Sequence, residues 1–147
     1  MSQRATETLK LSTRALHEQV EATPFAKAFF NKELSMQSYA GYLRLMTAMH
    51  SCLEVMLGKS KDPLVRAVWS PKYSRLPALY EDYLWLRPQL IPDSSGLIRA
   101  ILAALSHIRL VAEEAPVAIL GCVYVLWGST KGAVALKPLA EVALGVS

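Results

Sequence analysis

At 147 residues the chain is close to the common size of a single domain and long enough to bury a core, so one domain over residues 1–147 is expected. It is 52% hydrophobic and 19% charged, which excludes a disordered chain and points to a filled helical core, a buried ligand pocket or a surface that pairs with another subunit. The net charge of +4 is uneven: residues 1–75 hold 11 Lys/Arg against 6 Asp/Glu, and residues 76–147 hold 5 against 6. A basic first half suits an anionic small molecule, a nucleic acid or a membrane surface. The cations form no dense run interleaved with aromatics, so no nucleic-acid partner is expected.

In chain order, residues 5–22 read as one helix with Leu9, Leu16 and Val20 on an apolar face. Pro24 opens a short second helix, "PFAKAFFNK", because proline fits a helix's first turn. Ser35 is the expected N-cap of a long helix from Met36, with Tyr39, Tyr42, Leu43, Met46, Met49 and Leu53 at spacings of three and four, closed by Gly58 and "KSKDP". Pro63, Pro71, Pro77, Pro88 and Pro92 break residues 63–92 into short helices and turns. "DSSG" opens a further helix to about Val111, and a last helical region runs from Pro116 toward Leu144, interrupted or bent around Gly128 and Gly132. No segment alternates as a strand would, so the class is all-α.

Cys52 and Cys122 are too few and too far apart for a disulfide scaffold or a zinc site. The N-terminus lacks the apolar core of a secretion signal, and the run "APVAILGCVYVLWGST" falls short of a membrane span; a cytoplasmic location without a membrane span is expected. His50 and His107 read as partly buried, satisfied residues, since neither has a partner at ligand spacing. Met36, Met46, Met49 and Met56 read as core fillers, and Trp69, Tyr73, Tyr80, Tyr83 and Trp85 as packing.

Two constellations remain. "TRALHEQVE" continues a stripe of Lys10, Arg14, His17 and Glu21, residues three and four apart that share one helix face, with Lys10 and His17 about 10 Å apart at the usual rise. A neutral imidazole can ligate iron, a carboxylate one turn along can hold its other ring proton, and cations further back can meet a ligand's carboxylates. The same spacing also describes an ordinary solvated face. "AILGCVYVLWGSTKGAVAL" places Gly121, Gly128 and Gly132 on one side of an apolar helix, each costing about 1 kcal/mol relative to alanine. Such glycines serve close helix packing, a kink or a flat ligand. "GSTKG" does not have the order of a phosphate loop.

Taken together, "STRALHEQVEATPFAKAFFNKELSMQSYAGYLRLMTAMHSCLE" and "LGCVYVLWGSTKGAVAL" resemble the proximal segment and the glycine-bearing distal helix of the bacterial heme oxygenases, in the right order and over most of the chain. The resemblance implies a heme oxygenase-like helical bundle in which heme, both substrate and prosthetic group, lies between those helices. His17 becomes the proximal iron ligand and Glu21 its hydrogen-bond partner; Lys10 and Arg14 approach the propionates, with Tyr124 near that edge. Gly128, Ser129 and Gly132 form the distal, catalytic side. The implied reaction cleaves heme at a meso carbon to biliverdin, CO and ferrous iron, using O2 and electrons from a separate reductase or ferredoxin.

Three features depart from the pattern. Ser129 stands where many animal-type members have aspartate, with Trp127 where bacterial relatives often have glutamate; Ala133 replaces a glycine; and the sequence given stops at Ser147, soon after the distal helix. The resemblance then implies a more open pocket, with a homodimer as a candidate source of the missing wall. A non-catalytic heme or bilin carrier or sensor on the same fold is the alternative.

Overall fold

The computed structural model describes residues 3–86 and 94–145, apart from the side chains at 3–6, 9–10, 129–136 and 139–140. Among the described residues seven α-helices follow in order: α1 Gln3–Glu21, α2 Pro24–Phe30, α3 Met36–Lys59, α4 Pro63–Val68, α5 Leu76–Leu86, α6 Ser95–Glu114 and α7 Ile119–Leu144. Single 3-10 turns at Pro71–Tyr73 and Pro116–Ala118 link them, and the described residues contain no strand. The all-α expectation is met.

Local chemistry sets the boundaries. The Thr23 hydroxyl accepts the Ala26 amide and donates to the Val20 carbonyl, so it ends α1 and caps α2. Helix α2 stops at Phe30, short of the expected Lys32, because Lys32 takes a left-handed φ of 61° and turns the chain away. The Asp62 carboxylate accepts the Leu64 and Val65 amides ahead of Pro63, and the Ser94 hydroxyl accepts Leu97 N to start α6. Helix α6 runs to Glu114, three residues past the expected Val111. Helix α7 is continuous through Gly128, Gly132 and even Pro138, so of the interruption or bend expected at the glycines the interruption is absent. Pro88 and Pro92 lie outside the described residues.

The chain divides into two compact units, residues 1–35 with 137–147, and residues 36–136. In the second unit α3 packs against α5 and α6. Its main core joins Cys52, Leu53 and Leu57 of α3 to Val65 of α4, Ile108 of α6 and Ile119, Val123 and Leu126 of α7. Met46, Met49 and Met56 pack on this core as expected of fillers, and Met36 packs on a smaller cluster of Ala40, Leu43 and Leu86. Trp69 also packs, and Tyr73 meets Trp127 edge-on while staying partly in solvent, but Tyr80 and Trp85 are exposed, because α5 turns only part of its apolar surface toward α3. Helix α6 is the one helix among the described residues long and apolar enough to cross a membrane on those two criteria alone.

In the first unit α1 is amphipathic in sequence, yet Leu11, Leu16 and Val20 are all exposed. Its neighbour α2, with seven residues, is too short to cover a stripe of that length.

Candidate functional site

The residues singled out by the sequence fall on two exposed helix faces, one in each unit. On α1, Arg14, His17 and Glu21 are exposed and follow one another at helical spacing, with Lys10 one turn back on the same helix; the Lys10 side chain lies outside the described residues. Arg14 is engaged within its own helix, its Nε donating to Glu18 Oε1 at 2.9 Å, although both side chains are largely in solvent. Among the described residues no hydrogen bond joins His17 to Glu21. The imidazole therefore stands on an open surface with a carboxylate one turn away and both ring nitrogens available to a ligand.

On α7 the stripe Ile119, Val123 and Leu126 is buried, and helical spacing puts Gly121, Tyr124, Val125 and Gly128 on the opposite side. Tyr124 and Val125 are exposed there, and a Cβ built on Gly121 or Gly128 would meet no heavy atom within 4 Å. The two glycines thus serve no close helix–helix packing within this unit, which removes one of the three roles the sequence left open. They leave a shallow strip of bare backbone flanked by Tyr124 and Val125. Gly132 continues that strip by spacing, while its surroundings and the Ser129 side chain lie outside the described residues.

Trp127, next to Gly128, is half-buried on another side of α7. Its ring lies 6.1 Å from Trp69 and meets Tyr73 edge-on at 5.7 Å. It is a packing residue of the core and offers no substitute for an acid in proton transfer.

His107 is exposed, whereas His50 is buried more completely than expected, at 2% exposure, and its Nδ1 has no hydrogen-bond partner. The Glu54 carboxylate beside it accepts the Ser74 hydroxyl at 2.5 Å and the Arg75 amide at 2.9 Å. Nothing in the sequence signals this arrangement, because the donors come from a turn twenty residues away. Among the described residues no three His, Cys, Asp or Glu side chains gather to hold a bare metal ion.

The two faces and the helical architecture define the class: an all-α protein that offers one exposed imidazole on its first helix and a glycine-stripped face on its last. The family model described as heme oxygenase matches residues 3–147, and the chain belongs to the heme oxygenase family. It is 27% identical to heme oxygenase 1 of Gallus gallus over 147 residues, 98% of this chain and 50% of that protein. Its fold is similar to the crystal structure of heme oxygenase-1 from the cyanobacterium Synechocystis sp. in complex with heme, with a TM-score of 0.82 and 23% identity over 96% of this chain and 65% of that one. The chain therefore spans about half the length of the curated relative it matches and about two thirds of the solved one.

Proposed function

We propose that the protein binds heme through His17 and oxidises it, with O2 and electrons from a separate donor, to biliverdin, CO and ferrous iron. The observation that carries this reading is the exposed His17 on α1, without a competing partner among the described residues, in a chain whose family match runs from residue 3 to residue 147. A bare metal ion is usually held by three or more protein ligands, whereas iron already held by a porphyrin's four nitrogens needs one axial imidazole. The donor set here fits the second case.

Each part of the chain has a distinct task in this reading. His17 supplies the axial nitrogen, and Glu21 accepts the proton on the other ring nitrogen, which holds the ring in one tautomer. Lys10 and Arg14 meet the two carboxylates of heme with charge-assisted hydrogen bonds, Arg14 exchanging Glu18 for one of them. Gly128 and Gly132 let helix backbone approach a flat ring closely, which a Cβ would prevent. Tyr124 flanks that strip. Ser129 and ordered water carry protons on this side, because Trp127 is committed to the core. Bound heme supplies the iron and the ring that is oxidised; the chain supplies orientation, charge neutralisation and water control.

The test is a hemin titration followed, in the same sample, by ascorbate under air. A histidine-type Soret band that decays into the broad red absorption of biliverdin is the expected result. A saturable band that persists without product would replace catalysis by a carrier or sensor role, and no saturable band would remove heme altogether.

A further inference from the structure

His50 and Glu54 occupy successive turns of α3 and are almost sealed from solvent, with side-chain exposures of 3% and 8%. Among the described residues His50 Nδ1 has no hydrogen-bond partner, and neither does the buried Thr47 Oγ1 one turn before it. Buried polar atoms are nearly always paired, so this nitrogen is poised to take up an acceptor that comes within reach. The acceptor that would pair it is already present: Glu54 Oε1 lies 3.7 Å away, beyond hydrogen-bonding distance. That carboxylate is in use elsewhere, since its Oε2 accepts the Ser74 hydroxyl at 2.5 Å and its Oε1 the Arg75 amide at 2.9 Å. Glu54 therefore ties the turn before α5 to α3.

We propose that His50 and Glu54 form a proton-operated latch: neutral His50 leaves the Glu54 carboxylate on Ser74 and Arg75, and a proton on His50 draws it away and releases the turn. A charged imidazole needs a strong acceptor for its Nδ1–H, and a charge-assisted bond to Oε1 requires the gap to close by roughly 1 Å. A carboxylate that swings that far toward the ring lengthens its bonds to Ser74 and Arg75, now 2.5 Å and 2.9 Å.

The direction with pH follows from what surrounds the ring. Burial holds His50 below its ordinary pKa of 6.5; Glu54 on the same helix pulls the other way, and Arg75 from the turn adds to the lowering. Helices α6 and α7 bring apolar Ile108, Ile119 and Val123 to the adjoining core. The latched state thus binds fewer protons than the released one. Its stabilisation is greatest at high pH and is lost as the pH falls through the range in which His50 takes up a proton. This device does not depend on heme.

The experiment is amide hydrogen exchange by NMR on the full chain at pH 7.5 and 5.5, with rates corrected for intrinsic pH dependence. The Arg75 amide of the wild type is expected to lose protection by up to about tenfold per pH unit below the histidine's ordinary range, while the Val123 amide keeps its own. In His50→Gln the Arg75 protection is expected to be flat across the same range. A wild-type Arg75 amide that keeps its protection, an equal loss in His50→Gln, or a joint loss at Arg75 and Val123 would each overturn the latch. If His50→Gln does not fold, the wild-type ring decides: an imidazole that titrates at or above 6.5 ends the proposal, and one that titrates below it, in step with the Arg75 amide, supports it.

Discussion

The Trp127 ring meets the Tyr73 ring edge-on, centroids 5.7 Å apart and planes inclined at 63°, so the residue beside Gly128 belongs to the core of the second unit. Trp69 closes on its other side at 6.1 Å. Placing a carboxylate there, by Trp127→Glu, should therefore harm the fold before it helps any chemistry. Loss of a fully buried tryptophan costs roughly 3–5 kcal/mol and of a half-buried one less, and a carboxylate among aromatic rings adds to that. Urea unfolding of the variant should show a clearly lower midpoint; an unchanged midpoint would place the ring outside the core.

Gly128 is expected to separate stability from ligand binding. A Cβ there meets no heavy atom within 4 Å, and alanine is preferred over glycine in a helix by about 1 kcal/mol, so Gly128→Ala should unfold at the same temperature or slightly higher. Hemin affinity should fall, because the methyl group stands where the flat ring would approach. Equal affinity in the two proteins would remove Gly128 from the site.

His17 and Glu21 are exposed, so His17→Ala and Glu21→Gln should change stability by no more than about 0.5 kcal/mol. The first should abolish the histidine-type Soret band with helicity intact. The second should keep heme bound with an altered ligand field, because the partner of the imidazole has changed. A wild-type spectrum from His17→Ala would refute the ligand assignment.

Arg14 is held by Glu18 at 2.9 Å, and a heme carboxylate must compete for it. Exposed pairs at this spacing contribute only about 0.3–0.5 kcal/mol, so Glu18→Gln should leave the melting curve almost unchanged. It removes a negative charge beside a dianionic ligand and frees the guanidinium, so hemin should bind more tightly, most visibly at low salt. Weaker or unchanged binding at low salt would show that Arg14 does not serve the ligand.

Helix periodicity was legible because burial repeats every three to four residues, and α1, α3 and α6 follow it with ends within a few residues of expectation. A helix start was legible where a side chain and its target amide are neighbours in sequence, as at Ser94 in "DSSG". The candidate site was legible for the same reason: His17 and Glu21, or Gly121 and Gly128, lie on one helix, and helical geometry alone puts them on one face.

Relations across the chain were not legible. Leu16 and Val20 have the pattern of a buried stripe and are exposed, because a pattern names a face but not the surface that covers it. His50 and Glu54 look like any helical pair until Ser74 and Arg75 arrive from twenty residues away to claim the carboxylate. Trp127 next to a glycine of the site could have faced a ligand, and packing against Trp69 and Tyr73 decided otherwise. By itself the sequence determined the helices, their caps and the two faces, since these depend on interactions within a few residues. Which groups are sealed from water, and which buried polar atoms lack a partner, was decided only when distant segments met.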